Sequence, residues 1–437
     1  MPERLSARLL PAWVDPVAVF RSLEAAHADV FWLDAGADAR TGWSFIGRGI
    51  AAALPSDVRL DVAPPDTTTP PFTGGWVGWL DYETGARAAG APAFASTDQG
   101  GSWVLATHVV AFDHAAGQTW VLAHDDALAA WTAVVAATSA SVTDVATPRG
   151  GAPLIAEARH DPDEYVGLIQ RCRELIRAGI AYQLCLTTRF RVPGDHDPLE
   201  VYLRLRSATP AHHGGFVRIG RRTLLSASPE QFLYAEGGTV RTRPIKGTRP
   251  RSVDPVEDAA LAAELAVNTK ERAENVMIVD LMRNDLSRIC EPGSIRVEGL
   301  WVVESYPAVH QLVSTVTGTV AAGTTVGSLL EAAFPAGSMT GAPKLSAMTR
   351  LHDLEGGPRG IYAGCFGYVG IDGTLDLAMV IRSIVIEADD AVVGAGGGIT
   401  WGSDPSAEVA EVATKARAPL AALGAVLPVL WGSDILN

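Results

Sequence analysis

The sequence is short of several things, and each shortage removes a class of function. Charged side chains make up only 19% of its 437 residues, below the roughly 25% of an average soluble domain. Yet 48% of the residues are hydrophobic, so the composition is that of a folded chain with a sizeable core. Basic residues are outnumbered, 35 against 49, for a formal net charge of −14. Such a chain has no broad cationic face to neutralise a phosphate backbone, and nucleic acid is not an expected partner. Cysteine is scarce. Cys172, Cys185, Cys290 and Cys365 stand far apart with no CxxC, against a disulfide framework or a zinc site and in favour of reduced thiols in a cytoplasmic protein. Ala127–Ala137 and Ala418–Trp431 are the longest apolar stretches, short of the ~20 residues that cross a bilayer. The start, Met-Pro-Glu-Arg, lacks the apolar core of a signal peptide. No membrane association is expected.

Nucleotide-binding signatures are missing as well. Gly337–Lys344 (GSMTGAPK) lacks the GxxxxGK[ST] spacing, and Gly394–Gly398 (GAGGG) opens no helix with a GxGxxG pattern. Both read as loops that bring backbone N–H groups close to a carboxylate.

What is present reads as interspersed strands and helices. Pro/Gly/Thr-rich punctuation falls at Ala63–Phe72 and at Ala146–Pro153, and the second divides an N-terminal portion, 1–150, from a region at 151–437. Alternating runs predict strands at Trp103–Phe112, Thr119–His124, Tyr182–Val192, Thr223–Ala227, Gln231–Ala235, Thr239–Arg243, Gly299–Val303, Val309–Val320, Gly364–Ile371, Ala378–Glu387 and Ala391–Ala395. Helices are predicted at Asp163–Gly179, at Val256–Leu286 as one long element, and at Ser406–Leu423. There is no regular βαβ beat, so the fold class is α+β, with layered sheet flanked by helices and the two portions interleaving as one unit.

Two constellations carry chemistry. Arg241–Arg251 (RTRPIKGTRPR) packs five cations into eleven residues of an acidic chain. A solvated basic turn is the plain alternative. Pro244 and Gly247, however, place Lys246 on a turn, and a lysine among cations has its ammonium form disfavoured, which favours a nucleophile. Glu271 and Glu274 stand three apart on a predicted helix, as do Glu408 and Glu411 on the last one. Such doublets share helix faces and could converge on a hard cation such as Mg²⁺. Solvated faces paired with Lys270, Arg272 and Lys415 are the alternative.

PIKGTRPR (Pro244–Arg251), ERAENVMIVDLMRNDL (Glu271–Leu286), YPAVHQLVSTVTG (Tyr306–Gly318), GSMTGAPK and GAGGGITWGSDPSAEVAEVATKA (Gly394–Ala416) together resemble the chorismate-binding enzymes. The resemblance covers Asp163–Leu423, with weaker echoes at Phe31–Gly47 and Gly74–Glu83. It implies a large sandwich of β-sheets flanked by helices, and chorismate as substrate. Mg²⁺ is implied on Glu274 and Glu411, supported by Glu271 and Glu408. Tyr368, Arg382 and the backbone of Gly396, Gly397 and Gly398 match the positions that hold the enolpyruvyl carboxylate. Thr340 and Lys415 match further substrate contacts, His310 the active-site histidine, and Glu230 the general acid for the departing C4 hydroxyl.

Two positions discriminate among members. Water-adding members, the isochorismate and salicylate synthases, are expected to carry a lysine base where this chain has Gln183. Anthranilate synthases resemble isochorismate synthases in a small residue at the position of Lys246, whereas aminodeoxychorismate synthases carry lysine there and use it against C2. The resemblance therefore implies C4 amination, with anthranilate formation as the alternative. Cys185 departs from the usual asparagine, and Ala336 precedes the GSMTGAPK loop where glycine is common. Leu33-Asp34-Ala35 replaces the Leu-Glu-Ser-like tryptophan contact of feedback-regulated relatives. No cysteine sits on a GxCxG elbow, so ammonia is expected from a separate glutamine amidotransferase subunit.

Overall fold

A computed structural model describes residues 2–63, 70–95, 101–138, 153–307 and 309–432. The predicted linker at Ala146–Pro153 lies outside these residues up to 152, as do residues 64–69 of the first punctuation.

Helix ends follow side-chain capping. Asp161 opens Pro162–Arg177 in a reciprocal capping box with Glu164, and Gly179, with φ 73°, lets the chain turn away afterwards. Asp404 accepts the Ala407 N–H at the start of the terminal helix Pro405–Ala422. The single long helix read at Val256–Leu286 is in fact two, Pro255–Val267 and Thr269–Ser287. Asn268, with ψ 113°, leaves the helix and accepts the Glu271 N–H with its side chain. A capping asparagine competes better than it propagates, and periodicity alone does not register that competition. The second helix is thereby re-aimed, with Glu271 in its first turn. Ala378–Glu387 likewise divides into Leu375–Met379 and Ser383–Glu387, because Arg382 adopts φ 53° between them.

Twenty strands of the described residues join one sheet, all pairings within it antiparallel. Three registers position the site. Asp390–Ile399 runs beside Gln183–Pro193, with Gly398 opposite Cys185. Ile245–Pro250 runs beside Val309–Thr319, with Lys246 opposite Leu312 and a break between Lys246 and Thr248. Arg296–Ser305 lies on the other edge of Val309–Thr319 and has no further strand neighbour among the described residues. The N-terminal third is stitched into the same sheet, Val30–Asp34 against His213–Ile219 and Gly75–Leu80 against Cys365–Gly370. Helices cover the faces over cores that include Phe20, Trp32, Tyr165 and Tyr202 on one side and Phe334, Met348 and Tyr362 on another. No helix of the described residues is long and apolar enough to cross a membrane.

Between these layers lies a charged knot. Arg359 and Glu355 meet at 2.7 Å with side-chain exposures of 2% and 4%. Arg359 also donates to the Met339 and Cys185 carbonyls and lies over the Tyr82 ring. Glu355 accepts both the N–H and the hydroxyl of Thr187. Removing one partner of a buried pair leaves an uncompensated charge, which costs about 3–5 kcal/mol. Arg359→Leu is therefore expected to lose stability on that scale in urea unfolding; a loss below about 1 kcal/mol would show that water reaches the pair.

Candidate active site

Lys246 stands on a β-bulge and not on the turn that its neighbours suggest. Gly247 has φ 76°, and a Cβ there would come within 2.8 Å of Leu265 and 3.0 Å of Glu271. Only glycine satisfies both demands. The Lys246 side chain is 14% exposed, with Nζ 3.8 Å from Glu274 Oε2. On its other side lies Gly398, where a Cβ would stand 3.1 Å from Nζ and 2.3 Å from Gln183 Nε2. Gln183 is fully buried, and neither end of its amide has a partner among the described residues. A buried amide left unpaired is costly, and its orientation beside Lys246 marks a place for a polar ligand.

The crowding of cations expected around Lys246 does not occur. Arg243 pairs with Glu304, Arg249 with Glu264 and Glu271, and Arg251 with Asp258, while Arg241 lies over Tyr234. Each arginine is spent on an acid or a ring, and the charge beside Lys246 is a carboxylate. Alternation along the strand sends successive side chains to opposite faces, which the spacing of cations in the sequence could not display.

The two acidic doublets converge, with Glu274 and Glu408 largely buried and Glu411 half exposed, and Lys270 and Lys415 pair with Glu274 and Glu411 as the alternative expects. Burial raises Glu274 against the pull of Lys246 and Lys270, with Glu271 and Glu411 adding to the rise. Burial also raises Glu408, with Glu411 and Glu274 adding to it and Ser403 opposing. Glu411 is the exception: burial would raise it, but Lys415 at 2.6 Å, with Lys246 and Lys270 behind, holds it below the usual range. Burial pushes Lys270 down, yet Glu274, Glu408, Glu271 and Glu411 together push it up. Negative charge is thus in excess in a partly desolvated place. Among the described residues no three side chains form a ready-made metal cage, so a cation there would complete its shell with water and a ligand anion, the usual habit of Mg²⁺.

Gly394–Gly398 is not a loop. It lies within the strand Asp390–Ile399, paired along one edge with Cys185–Arg189, and no strand pairs with its other edge among the described residues. Lys415 donates to the Gly396 carbonyl at 2.8 Å. Cβ atoms would collide with the Tyr362 ring at Gly394 (2.1 Å) and crowd Glu408 at Gly397 (3.1 Å). Arg382 is largely buried and pushed down by that burial, with Tyr362 and Glu411 opposing. It makes no ion pair among the described residues, so its guanidinium is available to an anion.

Other expected residues fare differently. Glu230 is buried and pushed up to about 7, chiefly by desolvation, with the Ser338 side chain, Lys246 and Lys415 pulling it back. Thr340 is buried with its hydroxyl turned to the Ala336 carbonyl, while its own carbonyl accepts the Cys185 N–H. His310 is buried, with one ring nitrogen on Ser305 at 2.7 Å and the other on Asp258 at 3.0 Å. Tyr368 is not brought to this group. It packs against Phe45 and Phe72 and lines a separate cavity of about 60 Å³ with Asp34, His213 and Asp376. Tyr362, missed in the sequence, is the tyrosine beside Arg382. The two stand six apart in one glycine-rich segment, and only the strand starting at Cys365 decides which faces the pocket.

Glu230 offers a test of this geometry. Its folded value of about 7 lies above the ordinary 4.5, so ionisation penalises the folded state. That penalty is absent below pH 4.5 and complete above about 7. Glu230→Gln removes it and is expected to gain about 3 kcal/mol on the wild type between pH 4 and pH 8. Urea unfolding across that range checks it; a constant difference would place Glu230 in water.

Known proteins resemble this chain over most of its length. An aminodeoxychorismate synthase of Streptomyces pristinaespiralis is 43% identical over 80% of this chain and 51% of its own, so the chain spans about half the length of that relative. An anthranilate synthase component 1 of Streptomyces coelicolor is 39% identical over 85% of this chain and 76% of its own. The crystal structure of anthranilate synthase component I from Streptococcus pneumoniae TIGR4, 27% identical, superposes with a TM-score of 0.74 over 96% of this chain and 93% of that one. Residues 22–421 match the family model described as chorismate binding enzyme, and on that match the chain belongs to the chorismate binding enzymes.

Proposed function

We propose that this chain aminates chorismate at C4 with ammonia, releasing water and giving 4-amino-4-deoxychorismate, as an aminodeoxychorismate synthase component 1. The observation that carries the reading is an amine in the buried centre of the site: Lys246 Nζ lies against Gly398 and Gln183, 3.8 Å from Glu274. A neutral amide at Gln183 gives water no base, and a long amine at Lys246 stands where ammonia would need room to attack C2.

The residues then take the following roles. Arg382, Tyr362 and the open edge of Gly396–Gly398 bind and orient the enolpyruvyl carboxylate. Lys246, as its neutral amine, attacks C2, the ring π electrons shift, and the C4–O bond breaks. Glu230, near 7 and so protonated for part of the time at neutral pH, gives its proton to the departing hydroxyl, which leaves as water. Ammonia adds at C4, the π electrons return, the C2–N bond to Lys246 breaks, and the proton shed by the added nitrogen restores Glu230. Chorismate and ammonia are thereby converted to product and water, with no oxidant consumed. Lys415, tied to Gly396 and Glu411, fixes the terminal helix against the glycine strand. His310, bonded to Ser305 and Asp258, steadies the strand that pairs with Ile245–Pro250.

Glu274 and Glu411 would hold Mg²⁺, with Glu271 and Glu408 supporting through water. The excess of carboxylate among these four fits that role. When bound, the ion neutralises the ring carboxylate of the substrate against these acids. We assign ammonia supply to a separate glutamine amidotransferase subunit. The nearest approach to a glutaminase elbow, around Cys365, lies buried in a strand with its thiol pushed up by burial. The four cysteines are buried and unpaired, in keeping with a cytoplasmic setting.

Incubation with chorismate, Mg²⁺ and ammonium, followed by chromatography with mass detection, is expected to give 4-amino-4-deoxychorismate; anthranilate would overturn the reading. Lys246→Ala is expected to fall to background. Glu230→Gln is expected to lose about 10²–10⁴-fold in kcat. The wild-type rate should fall as pH rises through about 7, because the general acid must be protonated, and the glutamine variant should lack that limb. Glu408→Gln is expected to raise the Mg²⁺ needed for half-maximal rate by about 10–100-fold; an unchanged requirement would remove Glu408 from the ion's surroundings.

A further inference from the structure

Ile245–Pro250 has a weakness at the residue that matters most. Its ladder to Val309–Thr319 is broken between Lys246 and Thr248, so backbone pairing does not fix Lys246 from the C-terminal side. On the N-terminal side Ile245 stays in register with Val313, and before it stands Pro244, which has no N–H to donate. The Pro244 carbonyl is therefore the backbone group left there to anchor the start of the strand.

That carbonyl is held twice. The Asn275 side-chain amide donates to Pro244 O at 3.3 Å, and the Ser314 backbone N–H donates to the same oxygen at 3.2 Å. The Ser314 hydroxyl donates to Asn275 Oδ1 at 2.5 Å and accepts the backbone N–H of Trp301 at 3.0 Å. Asn275 and Ser314 are both fully buried. Asn275 directly follows Glu274 on the acid helix, and Ser314 lies two residues from Leu312, the register partner of Lys246.

Trp301 closes the circuit. It lies inside the register break between Gly299 and Val302, just after another between Val297 and Gly299, and its φ is 59°. A bulky side chain in the left-handed region is an uncommon and costly conformation that its surroundings must impose. Here it lets one residue donate twice, its N–H to Ser314 and its indole to the Arg272 carbonyl at 3.1 Å. The Arg272 guanidinium lies 3.8 Å over the same ring. Arg272 sits between Glu271 and Glu274.

We propose that Trp301, Ser314 and Asn275 are positioning residues that together set the distance between Lys246 and the acid helix. The proposal rests on the reading of Lys246 as nucleophile. The edge strand braces the middle strand, the middle strand braces the helix, and both grip the carbonyl two residues before the amine. A displacement of about 1 Å at a reacting group can cost on the order of 10²-fold in rate, so a loosened Pro244 is felt in chemistry before it is felt in binding.

The test uses the full chain and three variants. Ser314→Ala is expected to lower kcat by about tenfold or more while leaving KM for chorismate within about twofold. Ser314→Thr, which keeps the hydroxyl, is expected to recover most of the rate. Brief acetylation with peptide mass mapping should show Lys246 severalfold more reactive, relative to Lys415, in Ser314→Ala than in wild type. Trp301→Phe keeps an aromatic ring for Arg272 and removes the indole donor together with part of the ring system, so it should move the Lys246 labelling in the same direction. Unchanged labelling in both folded variants, or a kcat loss that only tracks lost folded protein, would overturn the proposal. If wild-type protein forms no C4-aminated product, the nucleophile reading fails by itself, and the labelling still decides whether these three residues place the lysine.

Discussion

Arg359 and Glu355 meet where a strand, a loop and a helix of the N-terminal third come together, and each depends on that contact for its place. The guanidinium reaches the carbonyls of Cys185 and Met339, so the strand carrying Gln183 and the loop carrying Thr340 are tied to one planar group. The backbone N–H groups of Arg359 and Gly360 in turn find Glu83. A buried pair of this kind adds little net stability over apolar packing. Its contribution is geometric, because a fork of fixed donors admits few arrangements of its acceptors. The N-terminal third supplies no group to the proposed chemistry, yet it carries Tyr82 and Glu83, and through them it orders the residues that do.

Around that fixed point the site separates its carboxylates by environment. Glu230 is driven up by desolvation, while Glu411 is held down by Lys415. Two acids under the influence of the same lysines are thereby pushed in opposite directions, the condition for one to give a proton while another stays an anion. Lys246 lies between them in effect, influencing both.

Much of this was legible in the sequence. The i, i+3 acid doublets sit on helices and converge as their spacing allows, and the capped helix starts fall close to their expected places. Segment motifs pointed to the family and its fold. What could not be read was one local competition and several tertiary effects. Asn268 breaks a helix because its side chain offers a better use of one N–H, a local competition invisible to periodicity. Gly394–Gly398 reads as a loop by composition, yet it is a strand, because its glycines answer to neighbours across the pocket and not to turn chemistry. Tyr362 and Tyr368 are equivalent until a strand decides which one faces Arg382. The basic run suggested cations pressing on Lys246; alternation and acidic partners from distant segments disperse them.

The glycine strand has one more implication. One wall of the pocket is built from main chain alone, and the collisions that any Cβ would make mean that wall has no side chains to exchange. A pocket of this construction can change what it does only from the facing wall, where Gln183 and Lys246 stand. Under the proposed function, substitutions in this chain that redirect the reaction are therefore expected at those opposing positions and not along the glycine strand.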